Sequence, residues 1–168
     1  MALNQMTGWL VAGPARLLRW LADPLALALR VWIALEFLRS GWLKLTSWEN
    51  TLFLFREEYH VPVLPPTLAA VAGTAGEIVF PVLLIVGLAG RLSALATSAV
   101  NAMAVIAYAH VLLSEGFEAA LGQHVLWGLA LLVLAVYGPG RLSVDWLLYR
   151  RGQAAAHVQT VGMGWSSV

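Results

Sequence analysis

PTLAAVAGTAGEIVFPVLLIVGLAGR, Pro66–Arg91, decides how this chain is read. From Thr67 to Ala89 the only ionisable residue is Glu77. A hydrocarbon core of about 30 Å needs about 20 such residues in a helix. The punctuation is legible too. Pro62, Pro65 and Pro66 precede the run, and Gly87 and Gly90 close it. Another apolar run, Arg91 to Leu113, starts almost at once, so the two form an antiparallel hairpin.

Working outward, Pro24 to Leu45 and Ala119 to Tyr137 are similar runs, the last ended by Gly138-Pro139-Gly140. The expectation is an all-α polytopic membrane protein, a bundle of four transmembrane helices. Composition agrees: 60% of residues are hydrophobic, 11% are charged, and mean hydropathy is +0.77. A soluble domain is about 45–50% apolar and about 25% charged. A net charge of +1 gives no basic surface for nucleic acid. With no cysteine, the chain has no disulfide framework, thiolate metal site or thiol exchange of its own.

Met1 to Leu10 lacks a basic n-region, so the N-terminus is expected to be retained. Lys and Arg in short flanks set orientation. Arg16, Arg19, Arg91, Arg141, Arg150 and Arg151 fall on one side, Lys44 and Arg56 on the other. Both termini are therefore expected in the cytoplasm of a bacterial inner membrane, with residues 46–66 and the turn around Glu115 and Glu118 facing outward. Three short interfacial helices are expected: Gly8 to Leu21, a stretch after the capping-box pattern Thr46-Ser47-Trp48-Glu49, and one capped by Ser143. The organisation reads as an interfacial segment over 1–23, a membrane domain over 24–148 and a flexible tail over 149–168, beginning in earnest at Gln153.

Ionisable groups inside a span are costly and mark function by default. The first span carries Arg30, Glu36 and Arg39, the second Glu77, the third Asn101, Tyr108 and His110, and the fourth Gln123 and His124. At 1.5 Å per residue, Arg39, Glu36 and Glu77 lie roughly 9, 13 and 15 Å below the outer ends of their spans. Glu36 and Arg39 share a helix face and can pair, and Glu77 at a similar level can complete an acid–base–acid cluster. The same pair also serves as a purely structural tie. Pro81 frees the carbonyl of Glu77, and Ala69, Gly73 and Gly76 keep that helix thin. Arg30, near the inner end, is expected to reach the headgroups. Asn101 and His110 fall on opposite faces of their helix. The histidines suggest haem or metal only in isolation; no third ligand has suitable spacing, so no metal is expected. The eight Trp residues read as interfacial anchors.

These residues resemble the DoxX family of small bacterial four-helix membrane proteins. The resemblance rests on Arg30 with Gly41 and Lys44, on Gly76-Glu77 with Pro81, and on Gly87-Leu88 with Arg91. It continues through His110 and Gly138-Pro139-Gly140-Arg141-Leu142-Ser143-Val144-Asp145, covering about Pro24 to Leu148. Where members often carry His before the glycine of the first helix, this chain has Ser40, preceded by Arg39. The resemblance implies a membrane subunit linked to sulfur or thiol redox chemistry. In archaeal relatives paired Dox subunits act as a thiosulfate:quinone oxidoreductase, and a mycobacterial member joins partner enzymes in a membrane oxidoreductase complex.

A quinone site needs an apolar slot, a hydrogen-bond donor and a proton carrier. Glu77, Arg39 and Glu36 are the candidate catalytic residues. His110, His124, Tyr108, Gln123 and Lys44 are the candidate quinone-binding residues. Electrons must come from the substrate or from a partner chain, because no flavin or haem motif is present. The competing readings are a non-catalytic anchor for another membrane or peripheral enzyme and, less economically, a small-molecule carrier. Thin Gly and Ala faces also favour a homo-oligomer.

Overall fold

Leu83 carries the bond pattern that ends the first decisive helix. Its carbonyl accepts from Leu88 N–H at 3.1 Å, and Leu84's from Gly87 N–H at 3.2 Å. This is a Schellman closure, with Gly87 at φ 70° in the left-handed region that glycine tolerates best. The computed structural model describes residues 2–153, with side chains placed from residue 18 onward. Its elements are α1 (Ala2–Thr46), α2 (Trp48–Glu57), α3 (Pro66–Val86), α4 (Gly90–Ala107), α5 (Ala109–Leu112), α6 (Glu118–Tyr137) and a helical stretch α7 over 144–153. Among the described residues there is no strand.

The fold is all-helical. Its helices α3, α4 and α6 are each long and apolar enough to cross a membrane. α1 carries Arg30, Glu36, Arg39 and Lys44 within the expected span, yet packs along α3. α3 packs on α4, α4 on α6, and α6 returns to α1. Ile33, Ala34, Phe37, Leu84, Ala94, Leu131 and Leu134 form the buried core. The hydrophobic effect is not what holds helices together in lipid; close packing and satisfied polar groups are.

Three expectations change. The segment over 1–23 is not a separate helix, because α1 runs through Pro14 and Pro24 as one helix of 45 residues. At 1.5 Å per residue that is about 68 Å, more than twice a bilayer core, so part of it lies outside any span. The run from Arg91 to Leu113 breaks at Tyr108. The Ala107 carbonyl accepts from His60 N–H at 2.8 Å, while Val111 N–H turns to the Tyr108 carbonyl at 3.1 Å. Finally, Ser47 gives α2 no side-chain cap. Thr51 Oγ1 bonds the Ser47 and Lys44 carbonyls instead, at 3.1 and 3.0 Å, and fastens α2 to the end of α1. α2 then packs Phe55 against Ala69 and Ala70. Ser143 does cap α7, accepting from Trp146 N–H at 3.3 Å. α7 reaches residue 153, so residues 149–153 of the expected tail are helical, and the rest of that stretch lies outside the described residues.

Candidate functional site

Lys44 leaves the last turn of α1 and places Nζ 2.6 Å from both carboxylate oxygens of Glu77 on α3. It also donates to Ser40 Oγ, one turn back, at 2.8 Å. Gly41 makes this reach possible. A Cβ there would lie 2.8 Å from Ile78 Cγ1 and 3.1 Å from Glu77 Cβ, so α1 and α3 meet only without one. Both charged side chains are largely buried, at 15% and 10% exposure. A pair this dry, with good geometry, keeps most of its mutual attraction.

The pair forms part of the wall of a cavity of about 630 Å³ enclosed by α1, α3, α4 and α6. Phe55, Tyr59 and Val61 line it on the α2 side, and Phe37, Phe80, Val100 and Trp127 supply apolar surface. Ligand pockets span about 300–1,000 Å³ and are mostly apolar with a few placed polar groups. Here those groups are Glu36, Ser40, Lys44, Glu77, Tyr59, Tyr108 and His124.

His124 is oriented from behind. Asn101 Nδ2 donates to the His124 carbonyl at 2.9 Å, which turns Asn101 Oδ1 toward the ring, 2.8 Å from Nδ1. Nδ1 therefore donates to Asn101 Oδ1, and in the neutral imidazole Nε2 is the acceptor. Tyr59 and Tyr108 meet edge to face at 5.2 Å. Burial first, then the negative charge of Tyr108, Glu77 and Glu58, pushes the Tyr59 phenol above the ordinary tyrosine range.

The expected acid–base–acid cluster does not form. Glu36 and Arg39 do pair, at 3.2 Å, but the Arg39 side chain is 72% exposed. It lies with Leu35, Leu38, Trp42 and Leu45 on another face of α1, beside Ile78 of α3. Depth placed Arg39 level with Glu77, but helix face decides contact: Phe37, Ser40 and Lys44 share the stripe toward α3 and the cavity. Gln123 is exposed and away from the cavity. His110 is exposed as well, its ring 5.4 Å from Tyr108 and 4.6 Å from His60. Tyr59, Ser40 and the Asn101 support escaped the sequence reading. Of these only Asn101 gave a signal, since an amide inside an apolar helix requires a partner.

Arg30 corrects another expectation. It is fully buried. Nη1 donates to the Leu84 and Ile85 carbonyls, each at 3.4 Å, and Nη2 to the Leu142 carbonyl at 2.5 Å. The last carbonyls of a helix lack partners within it and carry the negative end of its dipole, which is why a guanidinium settles there instead of reaching headgroups. Around it, Asp145 accepts from Ala89 and Gly90 N–H at 2.8 and 2.7 Å, and Asp23 accepts from Arg141 N–H at 2.8 Å.

The DoxX family model matches residues 25–111, just over half of the chain. The match takes in Arg30, Ser40, Lys44, Glu77, Tyr59 and Tyr108. No curated protein and no solved structure matches the chain. The chain is a member of the DoxX family of membrane proteins.

Proposed function

We propose that this protein is the membrane subunit of a quinone-linked redox system acting on reduced sulfur compounds, with the quinone held in the cavity beside Lys44 and Glu77. The observation that carries this reading is an ion pair on the wall of an otherwise apolar cavity of about 630 Å³. Such a space fits a flat ring and part of an apolar tail. A quinone, when bound, would supply two-electron, two-proton chemistry.

The chain's own residues supply the rest. Lys44 donates hydrogen bonds and positive charge to a ring oxygen. Glu77, anchored on that same Lys44, takes up and releases protons. His124 offers Nε2 as an acceptor, and the hydroxyls of Tyr59 and Tyr108 serve as further donors on the wall. Glu36 reaches the cavity while its partner Arg39 faces away, so Lys44 takes the cationic role that the sequence suggested for Arg39. With no cysteine, sulfur chemistry belongs to a small substrate or to a partner chain. In this reading α1 crosses the membrane with α3, α4 and α6 as a fourth span. The termini face the cytoplasm of a bacterial inner membrane, and a membrane or peripheral protein partner, or a second copy of this chain, completes the electron path.

The test is native mass spectrometry of protein gently extracted from its own membrane. A retained quinone is expected, and Glu77→Gln should lose it while the protein still accumulates. A stable partner chain with no quinone would replace this reading with that of an anchor.

A further inference from the structure

The walls of the cavity are not equally closed. Phe37, Phe55, Ala69, Glu77, Ala107 and Leu112 are buried, and the lining residues of α1 and α6 are at most half-exposed. The lining residues that are exposed are Leu64, Ala72, Ala99 and Met103. Leu64 stands just before α3, Ala72 lies on α3, and Ala99 and Met103 lie on α4. The opening therefore runs along the seam between α3 and α4.

Sequence explains why the seam opens there. α3 and α4 are joined through Gly87 and run antiparallel, and they touch closely where Gly76 meets Val100. Around that contact the exposed lining residues are Ala72 on α3 and Ala99 and Met103 on α4, two of the three being alanines whose short side chains fill little of the seam. At 1.5 Å per residue, Ala99, Met103 and Ala72 lie roughly 14, 20 and 21 Å from the hairpin ends of their helices. A hydrocarbon core is about 30 Å deep, so this opening faces lipid tails and not water. Polar Lys44 and Glu77 lie inside it.

We infer that the cavity is loaded sideways from the bilayer through the α3–α4 seam, and that its ligand is a lipid-borne molecule whose hydrocarbon chain trails through the seam while its polar head meets Lys44 and Glu77. This rests on the quinone reading and adds to it a route and a requirement for a chain. Selectivity then comes from two places, the ion pair for the head and the alanine-lined seam for the tail. A chain that comes from lipid gains no hydrophobic transfer, so the seam acts on affinity through how closely it packs the chain.

The experiment compares two probes on the full-length protein in detergent: a labelled benzoquinone with a ten-carbon chain and the same ring without a chain. Ala99→Phe and Met103→Trp each add bulk in the seam without touching Lys44 or Glu77. The expected result is a loss of about tenfold or more in affinity for the chain-bearing probe, with the ring-only probe changed by no more than about twofold, on the order of 1.4 kcal/mol for the former. Unchanged binding of the chain-bearing probe in both variants would overturn the seam and leave the quinone site standing. Equal loss of both probes would place the substitutions in the head site and also overturn it. If Ala99→Phe fails to fold, Met103→Trp decides, since Met103 is already 40% exposed and growth there meets lipid. If neither probe binds the unaltered protein, the quinone reading falls and the seam falls with it.

Discussion

Two cations on one helix, Arg30 and Lys44, are removed from water in opposite ways. Arg30 is buried against backbone: three carbonyls from α3 and from the segment after α6 take its guanidinium. Space around it is minimal. A Cβ on Gly87 would overlap Arg30 Nη1 and Ser143. Lys44, some 21 Å along the same helix by its rise, meets a carboxylate and a hydroxyl, and the cavity opens beside it. A planar fork with five donors suits fixed carbonyls, whereas a flexible point charge suits a partner whose protonation changes. One end of the molecule is thus fixed against backbone, and the other is where the proposed function places proton exchange and a ligand. The residues of the family resemblance divide the same way, with Arg30, Gly87, Ser143 and Asp145 at the tied end and Gly41, Lys44 and Glu77 at the open one.

The comparison breaks most visibly at Arg30. Arg30→Met takes the guanidinium donor from the Ile85 and Leu142 carbonyls and leaves Leu84's with Gly87 N–H alone, and the expected cost is about 3 kcal/mol or more. Thermal denaturation in detergent should show the largest fall of any substitution considered, or the protein should fail to accumulate. Gly87→Ala sharpens the point. Alone it forces a positive φ and a clash, and combined with Arg30→Met it should cost clearly less than the two single effects added, because the truncated side chain vacates the contested space. Full additivity would mean that Arg30 and Gly87 do not share one packed unit.

At the open end the expected effects on stability are smaller, and those on binding larger. Lys44→Met leaves the Glu77 carboxylate without its partner and should cost about 2 kcal/mol, less than the usual 3–5 kcal/mol for a fully buried pair because both side chains keep some exposure, 15% and 10%. Lys44→Met with Glu77→Met should recover most of that loss, since an apolar pair often replaces an ionic one at little cost. The double variant is then expected to melt within a few degrees of the unaltered protein while retaining no quinone. Melting as low as that of Arg30→Met would show instead that the pair is architectural.

How far the sequence revealed this division depends on the kind of signal. The apolar runs around Glu77 and His124, and the breaks at Gly87 and Gly138, located α3, α6 and the start of α4 to within a few residues, because length, hydropathy and glycine act locally. Glu77 stood out for a similar reason: a lone carboxyl in such a run has few bland explanations. Its partner did not. Depth counting favoured Arg39, but the helix face selected Lys44, and a four-carbon side chain covers the difference in level. Arg30 was misread because what satisfies it, backbone carbonyls at the end of α3 and at Leu142, leaves no trace in residue identity. Tyr59 and Ser40 enter the site through the placement of α2 and the closeness of α1 to α3, and neither follows from periodicity.

The smallest effect concerns pH and belongs to the open end. The Tyr59 phenol is held above its ordinary value near 10, by burial first and then by neighbouring negative charge, so the folded protein favours the neutral ring. A group raised in this way contributes stability that is present below the unfolded value and lost as pH rises through it toward the folded one. Tyr59→Phe cannot ionise and lacks that loss. The two melting curves should keep a constant separation from pH 7 to 9. Above about pH 10 the unaltered protein should decline faster, by no more than about 1.4 kcal/mol per pH unit. Parallel curves up to pH 11 would mean that Tyr59 ionises as freely as an exposed phenol, and that α2 does not close this end of the cavity against water.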